Sequence, residues 1–268
     1  NLMGSEPNIM EATSRLHQGF FRNGQSHRDG ADVSFKDILK LFGFRTIEIG
    51  RWVSAEEQQI AANLFFDALY DLCDILQVPE QVISLKGRLA IAFGKGGRQG
   101  VCAHYTPAKH EISLAKNAGA GSLAHEWFHA FDHYIGQKMY RDAPSSMFAS
   151  VGYLHHQPLI EHPLNVQLAA CFTQILLSHD KSQPSDFFYQ AKKLDEQFGG
   201  VYFTKPEELC ARAFESLIQD NAITNHFLVS GTKQSTLAKA GAYPTGQTRR
   251  EINHQLLTYF SWLGQSLR

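Results

Sequence analysis

The segment "GAGSLAHEWFHAFDHYIG", residues 119–136, constrains this chain more than any other. On a helix of 3.6 residues per turn, His125, His129 and Asp132 share one narrow stripe, with Glu126 and His133 at its margin. Leu123, Ala124, Trp127, Phe128, Ala130, Phe131, Tyr134 and Ile135 cover the rest of the surface. Such a helix is expected to be buried nearly all round, so its polar stripe must be satisfied from inside the protein. Ser122 is the expected N-cap and Gly136 the expected left-handed stop.

A metal ion satisfies such a stripe. "HEWFH" is H-E-x-x-H: histidines at i and i+4 project side by side and can hold two corners of a zinc tetrahedron. Glu126 then lies beside the open corner, placed to take a proton from water that the metal has acidified to a pKa of ~7. The competing account is a buried, satisfied pair of core histidines.

Two histidines need a third partner. The spacing HExxHxxGxxH is excluded, because Asp132 and Ile135 occupy the glycine and final histidine positions. Asp132 is expected to orient an imidazole rather than to ligate. His133 sits about 80° around the helix from His125 and is expected to line the cleft or join the core. A carboxylate on a second helix is another solution, and "TKPEELCARAFESLIQD" offers a candidate. Thr204 and Glu207 read as a capping box, with Pro206 in the first turn. Leu209, Cys210, Ala213, Phe214 and Leu217 form an apolar face, and Glu208, Arg212 and Glu215 form a polar stripe. Glu208 is the expected ligand, with Glu215 and Glu207 as alternatives, and Asp132 or His133 behind them. The competing account makes Glu208 and Arg212 an exposed i,i+4 pair.

The other elements set the fold class. "VSFKDILKLFGF" reads as a helix ending at Gly43, and "RTIEIGRWV" as a strand bending at Gly50. "SAEEQQIAANLFFDALYDLCDILQV" is a helix capped by Ser54 and Glu57 and ended by Pro79. "LAIAFG", "GVCAHYTP" and "HEISLAK" read as strands, the last two joined by a turn at Pro107–Lys109. Helices dominate after residue 136. Strands first and helices after predict an α+β fold with a small mixed sheet. Residues 1–30 are polar and read as a loose arm, leaving 31–268 as the domain. The segment 140–180, with His155, His156 and His162, is a candidate lid, although surface histidines are the commoner reading.

Charge narrows the function. Twenty-five basic against 26 acidic residues give a net charge of −1, which lacks the basic excess of a nucleic-acid footprint. No apolar run reaches transmembrane length, and no signal-peptide core follows "NLMGSEPNIM". Cys73, Cys102, Cys171 and Cys210 are scattered in apolar contexts without a CxxC pair, which fits reduced thiols and a cytoplasmic location.

"HEWFHAFDH" with a downstream "EELCARAFE" resembles gluzincin-type metallopeptidases, including the anthrax lethal factor catalytic domain and the ImmA/IrrE metallopeptidases. The phrases "FGFRTIEIGRWVS", "GVCAHYTPAKHEISLAKNAGAGSLAHEWFHAFDHY", "YFTKPEELCARAFE" and "YPTGQTRREIN" are similar to bacterial CLCA_X proteins. They are similar also to the zincin-like large polyvalent protein-associated domain of phages and mobile elements. That resemblance spans roughly residues 30 to 260. It implies a zincin-like metallopeptidase fold and Zn2+, but no substrate. Carried over by residue, it implies His125, His129 and Glu208 as metal ligands and Glu126 as general base. It also implies Tyr202 as a donor to the oxyanion. Arg212 departs from the pattern, which has an acidic residue there, so the groups around the ligands on that side are left open.

Three functions are then in play. The first is a zinc peptidase acting on a peptide or protein, held by backbone pairing to the edge strand "CAHYTPAKHEISL". The second is a non-catalytic zincin-fold binding or structural module of a phage or mobile-element protein. An intact Glu126 favours the first, because a module without chemistry has no need of it. The third, a nucleic-acid factor, runs against the charge, with only the "KGGRQG" patch in its favour.

Overall fold

The computed structural model describes residues 16–17, 19–95, 103–116 and 122–268. Cys102 and most of the "KGGRQG" patch lie outside the described residues. Helix α1 (Phe35–Phe42) starts on a capping box of Ser34 and Asp37 and stops at Gly43, whose φ of 72° suits glycine. Strand β1 (Ile47–Ile49) follows, and Gly50 donates its N–H to Phe93 O as the chain bends away. Helix α2 (Ala55–Leu76) carries the expected Ser54–Glu57 box. It ends at Gln77 in the left-handed region, two residues before Pro79, which instead opens the short helix α3 (Glu80–Ile83).

Strands β2 (Ala90–Phe93), β3 (Ala103–Thr106) and β4 (Glu111–Leu114) complete a four-stranded sheet of order β1-β2-β4-β3. The first three in that order run parallel, and β3 pairs antiparallel to β4 at the edge, with Tyr105 opposite Ile112. Pro107–Lys109 turns the pair as one 3-10 turn. β2 is buried along its length, as a strand between two parallel neighbours and helices should be.

The helical half contains α4 (Leu123–Met139), α5 (Ala149–Leu154), α6 (Pro163–Leu176), α7 (Asp186–Phe198), α8 (Pro206–Asp220), α9 (Thr236–Lys239) and α10 (Gly246–Ser266). The architecture is α+β, with α4 packed between the sheet and α8. Trp127 is 1% exposed, stacks with Phe131 and meets Phe214 and Phe260. Its indole N–H donates to Ile83 O at 2.9 Å, so the largest side chain in the core leaves no polar atom unsatisfied.

Several local expectations are corrected. Gly136 does not stop α4, which runs on to Met139. A Cβ at Gly136 would lie 2.5 Å from Met147 O, so this glycine admits the 147–149 backbone against the helix. Ser122 makes no side-chain cap; the Ala124 N–H of the first turn instead donates to Leu228 O. The Thr204–Glu207 box does not form either. Lys205 occupies the N-cap position, and the Thr204 hydroxyl donates to Asp195 at 2.6 Å. Residues 20–28 of the expected loose arm are tied down: Arg22 forks onto Asp71, Arg28 bonds Asp67, and Phe20 packs edge-on against Phe227. Asp71, 0% exposed, also accepts from His27 and Asn225 or pairs with them, so the arm satisfies a buried carboxylate of α2.

Cys73, Cys171 and Cys210 are buried free thiols, all with raised pKa through burial. Among the described residues, no helix is long and apolar enough to cross a membrane.

Candidate metal centre

Helices α4 and α8 bring three expected groups together. His125 Nε2 and His129 Nε2 each lie 3.0 Å from an oxygen of the Glu208 carboxylate. One donor atom from each of the three falls within 4.8 Å of the others. The i,i+4 spacing on α4 sets the rings 4.6 Å apart and nearly perpendicular, with both Nε2 atoms against the one Glu208 carboxylate. Glu208 is in the first turn of α8, and burial of both helices' apolar faces presses it against the imidazoles.

His125 has a second partner: its Nδ1 lies 2.7 Å from Glu215 Oε2. Burial works against a charged imidazole, yet the Glu215 and Glu208 carboxylates raise the His125 pKa to about 10. Burial likewise works against an ionised Glu208, yet His125 and His129 hold its carboxyl well below the usual range. Two carboxylates on one ring can be met in two ways. Either the ring is an imidazolium donating from both nitrogens, or Nδ1–H donates to Glu215 while Nε2 and a Glu208 oxygen share a cation. Two imidazole nitrogens and a carboxylate are donors that could hold a zinc ion with one corner left open. The residues fit the ion.

Glu126 lies near His125 and His129 on α4 and reaches toward the sheet. Its Oε2 accepts the Tyr105 backbone N–H of β3 at 2.7 Å. Burial raises its pKa, opposed by the two neighbouring histidines and that N–H. Tyr202, 48% exposed, lies beside Glu208; burial and the Glu208 carboxylate raise its pKa. Its loop is held by Asp195, which accepts from the N–H groups of Tyr202, Phe203 and Thr204.

Other expected residues are placed elsewhere. Asp132 orients no imidazole: it accepts from Ser150 N at 2.9 Å and Ser150 Oγ at 2.6 Å, joining α4 to α5. His133 is core, its ring between the Tyr105 hydroxyl and Ser145 O and stacked on His110. Arg212 does not pair with Glu208. Its Nε donates to Ala242 O at 2.6 Å, its Nη2 donates to Phe203 O at 2.5 Å, and the guanidinium lies over the Phe203 and Phe187 rings. His155, His156 and His162 are exposed, and His162 caps α6 by accepting from Leu164 N.

From the sequence, Glu215 is expected only as an alternative ligand. The seven-residue step from Glu208 returns to the same helix face within about 20°, and this was the available signal. Asp195 had no comparable signal, because its role depends on a loop closing over it.

A family model, large polyvalent protein-associated domain 1, matches residues 194–267. That segment contributes Tyr202, Glu208 and Glu215, whereas the two histidines and Glu126 come from before it. No curated protein and no solved structure matches the chain.

Proposed function

We propose that the chain is a zinc-dependent metallopeptidase of zincin-like, gluzincin type. The observation that carries this is the convergence of His125 Nε2, His129 Nε2 and a Glu208 oxygen on one point, near the half-buried Glu126 on the same helix. A zinc ion there supplies Lewis acidity toward a carbonyl and renders water acidic near neutral pH. Glu126 acts as general base toward that water and then passes the proton to the leaving amine. Its raised pKa moves a carboxylate in the direction this work requires. Tyr202, beside Glu208, donates its hydroxyl to the developing oxyanion. β3 is an edge strand next to Glu126, and an extended peptide laid along that edge is the substrate geometry that fits.

The match to a polyvalent protein-associated domain favours a second reading, a zincin-fold module of a phage or mobile-element protein that binds without cutting. Incubating the zinc-loaded protein with a random peptide library separates the two. The peptidase produces new termini that Glu126→Gln does not; the module produces none.

A further inference from the structure

We propose that Glu215 is the positioning residue of the metal centre, fixing His125 through Nδ1, and that Tyr243 holds Glu215 in place. The inference rests on the metal-binding half of the reading above and is independent of whether peptides are cut.

Glu208 and Glu215 share a face of α8, one two turns below the other, and both meet His125. Glu215 is 4% exposed, so its contact with Nδ1 is made out of water, where a charged hydrogen bond is strong. Donation from Nδ1–H leaves the Nε2 lone pair free and aims it at the donor set. Arg212, one turn below Glu208, cannot do this: it has no acceptor, and its Nε and Nη2 serve Ala242 O and Phe203 O. What Arg212 does is fix Ala242, and with it the adjacent Tyr243, whose hydroxyl lies close to the Glu215 carboxylate.

The two imidazoles are unequal. His129 Nδ1 is buried and has no hydrogen-bond partner among the described residues; its ring rests against Phe148. Orientation by hydrogen bonding therefore falls on His125 alone, and Glu215 has no second carboxylate to share the task with.

The test uses the full chain and zinc itself. Zinc affinity is measured by competition with a chromophoric chelator for wild type, Glu215→Ala, Glu215→Gln and Tyr243→Phe. The visible spectrum of each cobalt(II)-loaded protein reports the ligand set. Glu215→Ala is expected to weaken zinc binding by about 10–100-fold with the cobalt band intensity retained. Glu215→Gln, which keeps an acceptor and loses the charge, should weaken it less, and Tyr243→Phe less again. Should Glu215→Ala fail to fold, the Gln and Phe variants carry the same ordering. Unchanged affinity in all three folded variants overturns the inference. So does a change in the cobalt spectrum matching that of Glu208→Ala, which would make Glu215 a ligand. Wild type that binds no zinc overturns it together with the peptidase, whereas wild type that binds zinc but cuts nothing removes only the peptidase.

Discussion

The Glu126 carboxylate accepts the backbone N–H of Tyr105 at 2.7 Å, so α4 is tied to the edge strand through the candidate general base. The contact anchors one oxygen and leaves the other for a proton in transit. Glu126→Gln keeps an acceptor for Tyr105 and removes the base. Cleavage should fall ~10²–10⁴-fold, with zinc content and melting temperature close to wild type. Cleavage of a library-derived peptide at the wild-type rate would contradict the assignment.

Glu208 and His125 are 83 positions apart in sequence, on helices that meet at the candidate metal centre. Ion binding to the folded state alone stabilises it, by ~2.7 kcal/mol when free zinc is 100 times its Kd. Chelator should therefore lower the melting temperature of wild type, whereas Glu208→Ala should melt alike with and without it. Glu208→Ala should also lose zinc more readily than Glu215→Ala. A wild-type melt indifferent to chelator would separate the helices' packing from any metal.

Much of the frame was legible because it depends on short-range rules. The capping box at Ser54, the αL stop at Gly43 and the turn at Pro107 are set by neighbouring residues, and the helix face of His125 and His129 by periodicity. The misreadings have a common cause. Gly136, Thr204 and Asp132 each have a sound local role, and each is taken by a distant partner instead: Met147 O, Asp195 and Ser150. Local chemistry offers such residues two futures, and tertiary packing selects one.

Asp132 is fully buried, and burial pushes its pKa up to about 7 against the two hydrogen bonds from Ser150. An acid whose folded pKa is raised favours folding while protonated. Its contribution is fully present below the unfolded value of ~3.9 and is lost as pH rises toward about 7, by at most about 4 kcal/mol. Asp132→Asn cannot ionise. Urea unfolding at pH 5 and pH 8 should show wild type losing more stability than the variant over that interval. Equal losses would mean that Asp132 is ionised throughout.

Gly136→Ala gains helix propensity, worth ~1 kcal/mol, but places a methyl 2.5 Å from Met147 O. Backbone cannot swing aside as a side chain can, so the net effect should be a loss of ~1–3 kcal/mol in urea unfolding. A stabilised variant would show that the 147–149 segment is not packed on α4.

Zinc binding and peptide cleavage alike require three donors to meet at one ion. An anomalous X-ray scan at the zinc edge, on crystals of the full chain grown with zinc, tests this most directly. The expected result is about one zinc per chain, with His125 and His129 nitrogens at roughly 2.0–2.1 Å and a Glu208 oxygen at roughly 2.0–2.2 Å. An empty site after supplementation, or zinc held by a third ligand other than Glu208, would contradict it.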